Sequence, residues 1–320
     1  MMSRFVALLF LLFTGLAQAG APTVLQRPIS LDTGQGTLHG SLLLPRGDTP
    51  PPVVLIIAGS GPTDRDGNNP EGGRIDNLKR LALLLANNHI ASVRYDKRGV
   101  AASLAATPDE RNLTVERYVA DAVAWGQKLK ADPRFGPLIL LGHSEGALIA
   151  SLAAEQAGAS AVISLAGSGR PVDQVLREQL GERLTKGNLA GGLAVLDRLK
   201  AGQFSADVPA PLRNVFRPSV QPYLISLFRQ DPATAFARLK MPALIVQGRN
   251  DIQVDLQDAE RLHAAKPDAE LALIDGMNHT LRISPRDMGA QRDTYINPQL
   301  PLAQALGERI VAFIRRLPAA

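Results

Sequence analysis

The chain has no cysteine in its 320 residues. That excludes disulfides and a lipid-attached cysteine, so stability has to come from the core. Aromatic residues are scarce, at 4%, and no dense Lys/Arg run interleaves with them. A nucleic-acid partner is therefore not expected. No His/Asp/Glu cluster has metal-ligand spacing and no phosphate-cradling loop occurs, so neither a metal nor an organic cofactor is implied. Low-complexity tracts and internal repeats are absent as well. What is present is 45% apolar residues and a net charge of +5. That is the composition of a globular protein with weak attraction to anionic surfaces.

The first nineteen residues differ from the rest. Arg4 precedes an apolar run, Phe5-Val6-Ala7-Leu8-Leu9-Phe10-Leu11-Leu12-Phe13, and Ala17-Gln18-Ala19 follows. A charged start, a short apolar core and an Ala-x-Ala site predict a secretory signal peptide over 1–19 and export, with the periplasm as destination. No stop-transfer pattern follows, so stable membrane insertion after cleavage is not expected; an uncleaved N-terminal anchor is the alternative. Cleavage leaves residues 20–320 with 34 basic and 30 acidic side chains.

Residues 24–32 and 37–44 read as a hairpin turning at Gly34 and Gly36. After it come short apolar runs: Val53–Ala58, Ile90–Tyr95, Leu138–Leu141, Ala161–Ala166, Ala243–Val246 and Glu270–Ile274. Such runs fit strands buried on both faces of a parallel sheet. Amphipathic stretches at Ile75–Asn88 and Leu113–Lys130 lie among them, and a helix-like stretch, Leu302–Leu317, ends the sequence. The alternation predicts one doubly wound α/β domain. Residues 168–241 hold no convincing strand and read as helices over Val172–Leu184, Leu189–Lys200 and Val220–Phe228. A structureless loop of that length is improbable, so 168–241 is expected to be a helical cap inserted over the sheet's carboxyl edge.

The most informative stretch is Gly142-His143-Ser144-Glu145-Gly146, between an apolar run and an Ala-rich, helix-favouring segment. In that context Gly-x-Ser-x-Gly predicts a sharp strand-to-helix turn with Ser144 exposed at its apex. The plainer alternative is a packing turn with an ordinary serine. A serine hydroxyl needs a base, and the base an orienting carboxylate. Of five histidines, His279 directly follows the last core strand, where α/β folds place function. His143 sits on the turn but diverges from Ser144, and His39, His89 and His263 read as surface or packing residues. Asp251 also leaves a strand end, 28 residues before His279; a turn-capping role is its alternative, and Asp255 is the competing acid. The loop Gly59-Ser60-Gly61-Pro62-Thr63-Asp64-Arg65-Asp66-Gly67 brings backbone close to the nucleophile. The N–H groups of Ser60 and Glu145 are the expected two-donor oxyanion hole. Asp64, Arg65 and Asp66 read either as a solvated turn or as ion pairs bracing that loop.

These motifs resemble the α/β-hydrolase superfamily. The matches are Gly142–Gly146, Gly248-Arg249-Asn250-Asp251 and Gly276-Met277-Asn278-His279, in the order Ser, Asp, His, with Arg94-Tyr95-Asp96-Lys97-Arg98-Gly99 similar to a structural loop of that family. The Gly59–Asn68 segment looks like that of a subgroup of bacterial esterases and peptidase-like hydrolases. The resemblance spans about residues 37–317 and implies an α/β-hydrolase fold: an eight-stranded, mostly parallel sheet whose first strands are antiparallel. Two positions depart from the family: Ala58, where many members have His, and Ala101, where many have a second Gly.

The expected function is hydrolysis of small-molecule carboxylic esters, with short acyl chains favoured under a narrowing cap, by Ser144, His279 and Asp251. A peptidase, thioesterase or acyltransferase on the same residues is the alternative, and a catalytically silent binding protein is the rival from another class. Residues 168–241 carry 11 Lys/Arg against 6 Asp/Glu. Either these charges are solvated, or some of Arg170, Arg177, Arg213, Arg217 and Arg229 overhang the pocket and favour acidic or polar acyl groups.

Overall fold

The computed structural model describes residues 24–318; the leader expected over 1–19 lies outside them. Val24–Asp32 (β1) and Thr37–Pro45 (β2) pair antiparallel, and β2 continues antiparallel onto Ala91–Tyr95 (β4). The remaining strands, Val53–Ile57 (β3), Leu138–His143 (β5), Ala161–Leu165 (β6), Ala243–Gly248 (β7) and Glu270–Ile274 (β8), join β4 in a parallel array. The order across the sheet is β1-β2-β4-β3-β5-β6-β7-β8.

Each central strand divides its residues between two cores. Val53, Leu55, Ile57, Leu138, Leu140, Val162 and Ile245 face one side. Val54, Ile56, Ile139, Leu141, Ile163, Leu244 and Val246 face the other. The strands therefore carry uninterrupted apolar runs, as burial on both faces requires. In β4 the second side receives Ser92 and Arg94 instead, both buried, and Arg94 becomes important at the site.

Asn77–Asn87 (α1) and Gln304–Arg315 (α11) cover one face of the sheet. Val115–Lys130 (α2) and Glu145–Ala157 (α3) cover the other. The α2 helix shows how local sequence sets an element. Thr114 Oγ1 accepts from Arg117 N at the start, and Lys128 and Lys130 sit in the last turn against the dipole. Val115, Tyr118, Ala122, Trp125 and Leu129 form the buried stripe at helical spacing. By contrast α3 is buried nearly all round, and its alanines let it lie close to β5, β6 and α2.

Between β6 and β7 the chain is helical: Val172–Arg183 (α4), Lys186–Lys200 (α5), Arg213–Phe216 (α6), Gln221–Phe228 (α7) and Pro232–Ala237 (α8). The α4, α5 and α7 helices pack on one another, and α7 also rests on α2. The α8 helix, capped by Asp231, returns to the flank of the sheet against α3 and Leu256–Ala265 (α9). Met288–Thr294 (α10) follows β8, an element that the sequence reading does not contain.

Candidate active site

β5 passes directly into α3 through Ser144, which adopts φ 56 and ψ −124. A non-glycine residue there carries strain of about 1–3 kcal/mol. The turn is tight enough to dictate its neighbours. A Cβ on Gly142 would stand 2.0 Å from the Gly146 carbonyl oxygen, and one on Gly146 would stand 2.3 Å from that of Ile57. Ser144 N donates to the Leu165 oxygen at 2.9 Å, which ties the turn to β6. The Ser144 side chain is half-buried and faces open cavity.

The loops leaving β7 and β8 bring Asp251 and His279 together. His279 Nδ1 lies 2.8 Å from Asp251 Oδ2, and both residues are buried. Burial alone raises the Asp251 pKa. The opposing pull of His279, and donations from the backbone N–H groups of Gln253 and Val254, outweigh it and hold the carboxyl below its ordinary value. Asp251 is therefore an acceptor, so His279 carries its proton on Nδ1 and leaves Nε2 free as a base. Asp255 is not part of this arrangement: its Oδ1 accepts from Asp258 N and caps α9.

Two supports of this pair were not legible in the sequence. Asn278, fully buried, donates to Gln291 Oε1 and Thr294 Oγ1 on α10, and its Oδ1 accepts from the N–H groups of Thr280 and Arg282. His143 Nε2 donates to the His279 carbonyl oxygen at 3.0 Å, and the two rings pack 4.9 Å apart. Burial presses the His143 pKa down to about 3, so it is a neutral structural donor. A histidine inside the nucleophile motif was the available signal for the second support. His39 and His89 are exposed, and His263 lies on α9, as their sequence positions imply.

The loop after β3 is held by charge. Arg65 pairs with Asp96 at 2.7 Å, and Arg65 N also donates to that carboxylate. Arg94 pairs with Asp66 at 2.8 Å. Of the two readings for residues 64–66, bracing ion pairs are what Arg65 and Asp66 form, while Asp64 accepts from the N–H groups of Asp66 and Asn68. Lys97, also buried, donates to the carbonyl oxygens of Gly59 and Gly61. The N–H groups of Ser60 and Glu145 have no acceptor among the described residues, and both residues line the cavity beside Ser144. No group of three or more His, Cys, Asp or Glu side chains that could hold a metal occurs among the described residues.

The profile of the alpha/beta hydrolase family matches residues 54–291. The chain belongs to that family. A curated relative, the esterase EstD of Thermotoga maritima, is 30% identical over 254 residues, covering 76% of this chain. This chain spans only 58% of that relative's length. Among solved structures, Est1E from Butyrivibrio proteoclasticus with ferulic acid bound superposes with a TM-score of 0.61 at 17% identity. It covers 90% of this chain and 100% of its own. Proline iminopeptidase of Mycobacterium smegmatis superposes at 0.58 with 13% identity, over 91% and 98% of the two chains. These superpositions establish the α/β-hydrolase fold.

Two cavities meet at Ser144 in this member of the α/β-hydrolase family. One, of about 330 Å³, is bounded by the β3–α1 loop, including Thr63, Asn69 and Asn77, and by His279 and Tyr295. The other, of about 840 Å³, has an apolar wall formed by Val172, Val175 and Leu176 of α4, with Ile252 and Met288 at its mouth. The cap arginines are elsewhere. Arg170 pairs with Asp258 and Glu178, Arg177 with Asp197, and Arg217 with Glu110. Arg213 and Arg229 are exposed. None of the five lines either cavity. Of the two readings of these arginines, overhang of the pocket is not what the structure contains: α4 turns Val172, Val175 and Leu176 to the cavity, and its Arg177 and Glu178 pair with Asp197 and Arg170.

Proposed function

We propose that this chain is an exported serine hydrolase of small-molecule carboxylic esters. The observation that carries the proposal is the 2.8 Å His279–Asp251 contact beside a strained, cavity-facing Ser144. Ser144 Oγ attacks the acyl carbon while His279 Nε2 takes its proton. The N–H groups of Ser60 and Glu145 receive the oxyanion. The tetrahedral adduct collapses, and the proton passes from His279 to the leaving alcohol. Water, deprotonated by the same nitrogen, then attacks the acyl-enzyme and releases the acid and Ser144. Asp251 stabilises the imidazolium and fixes its tautomer. No step requires a metal or organic cofactor.

Esterase chemistry is supported by the family membership and by the relative named as an esterase. Within residues 168–241, α4 supplies the wall of the larger cavity and α5 and α7 pack behind it, so that this segment acts as the cap. The smaller cavity suits a short acyl or alcohol group, and the apolar one takes the bulkier side of the ester. Among the described residues no helix is long and apolar enough to cross a membrane. We assign the chain to the periplasm on its N-terminal pattern alone.

A fluorophosphonate probe and a panel of esters, amides and thioesters test the reading. Wild type should be labelled and should turn over esters fastest, and Ser144→Ala should fold but lose both properties. Labelling of the Ala variant at wild-type rate would overturn the nucleophile. Faster amide or thioester turnover would move the chain to the peptidase or thioesterase reading.

A further inference from the structure

We propose that Lys97 is a positioning residue of the oxyanion hole, holding and polarising the Gly59–Ser60 peptide from behind. The inference rests on the ester-hydrolase reading and adds a residue to it. The Lys97 ammonium donates to the carbonyl oxygen of Gly59, and that carbonyl belongs to the same peptide as the N–H of Ser60. In a planar trans peptide the C=O and N–H point in opposite directions. Fixing the Gly59 oxygen on Lys97 therefore fixes the Ser60 N–H away from Lys97, with no protein acceptor of its own.

Such a clamp has a physical reason. Ser60 is flanked by Gly59 and Gly61, and Gly61 sits at φ 65. Glycine on both sides makes rotation of the intervening peptides inexpensive. A rotated Gly59–Ser60 peptide would present a carbonyl oxygen where the oxyanion forms. Lys97 Nζ also donates to Gly61 O at 3.0 Å, so the turn is held on both sides of Ser60.

The surroundings of Lys97 indicate a use for its charge. It is buried, yet among the described residues no carboxylate lies within hydrogen-bonding distance; its partners are two carbonyl oxygens and the face of Tyr118, 5.4 Å away. Burying a cation without a paired anion is unfavourable, and burial here pulls its pKa below the ordinary lysine value, opposed by Glu145. An ammonium on a peptide oxygen draws electron density from that peptide and makes its N–H a stronger donor. Lys97 also offsets Glu145, a carboxylate adjacent to the nucleophile that by itself disfavours an oxyanion.

The test compares wild type, Lys97→Met and Lys97→Ala for ester kinetics, for affinity toward a boronic-acid transition-state analogue, and for the rate of fluorophosphonate labelling at Ser144. Removing one direct oxyanion donor lowers kcat roughly 100- to 1,000-fold. Loss of a group acting through that donor should lower kcat roughly 10- to 100-fold, with KM changed less than about threefold. Boronate affinity should fall in proportion to kcat/KM. Propylammonium should restore part of the Lys97→Ala rate, whereas tetramethylammonium, which cannot donate a hydrogen bond, should not. Unchanged kcat in Lys97→Met, or lost kcat with unchanged boronate affinity and no propylammonium rescue, would overturn the proposal. If wild type cleaves no ester but is phosphonylated, the ester reading fails while the labelling rates still judge Lys97. If wild type is not phosphonylated either, both fail.

Discussion

His143, the residue before Ser144, donates from Nε2 to the carbonyl oxygen of His279. The Ser144 turn and the loop that carries His279 are thus fastened together by one neutral ring. The pH consequence follows from the sign of its shift. Burial depresses the folded-state pKa to about 3, below an ordinary value of 6.5, so unfolded chains bind this proton first. The contribution to stability is complete above pH 6.5 and is lost as pH falls from 6.5 towards 3, at about 1.4 kcal/mol per unit at most. His143→Gln keeps a donor in nearly the same place but does not titrate. Denaturant midpoints measured from pH 7 to pH 4 should fall more steeply for wild type than for the variant. Parallel slopes would show that His143 is not the titrating group.

Asp251→Asn should lower kcat by about 10³–10⁴, because the amide no longer holds the required imidazole tautomer. Asp255→Asn should change kcat less than about twofold, since Asp255 caps a helix and its replacement can still cap. Steady-state kinetics on both variants decide the order, and the reverse ranking would move the acid to Asp255.

Ser144→Gly should abolish turnover and stabilise the fold. The backbone at φ 56, ψ −124 is strained for serine and open to glycine, so relief of about 1 kcal/mol is expected in urea unfolding. A less stable variant would mean that the turn holds no strain.

Val175→Trp should fill part of the larger cavity. Turnover of bulky or long-chain esters should drop about tenfold or more in kcat/KM, with acetate esters little affected. An equal loss for all esters would show that the α4 wall does not select substrate.

Exported protein should begin at Gly20. An intact mass corresponding to Met1 would contradict cleavage after Ala19.

The central strands were legible because burial on both faces leaves unbroken apolar runs, and Val53–Ile57 stands almost as read; the edge strand Glu270–Ile274, only partly buried, was legible from its apolar Leu271–Ile274 run. Ser144, Asp251 and His279 were legible because each follows such a run at a strand's carboxyl end. The supports were not. Lys97 and Arg94 are charged residues in or beside a strand, and only the three-dimensional path of residues 59–66 shows what they hold. Seven-residue α10 is too short to develop a helical period, so Gln291 and Thr294 gave no sign of holding Asn278. The cap's excess of arginine was visible, but its orientation depends on Asp258 and Glu110, residues distant in sequence.

The charges at the end of β4 also limit how this protein can be re-engineered. Arg94, Asp96 and Lys97 are all buried, and each finds its partner in residues 59–66. Grafting that loop from another hydrolase would strip buried Arg94 and Asp96 of their opposite charges, each a penalty of several kcal/mol, and would shift the carbonyl oxygens that hold Lys97. Loop and strand end therefore form one exchangeable cassette. Transplanting either half alone should yield insoluble protein, whereas moving both together preserves the pairing.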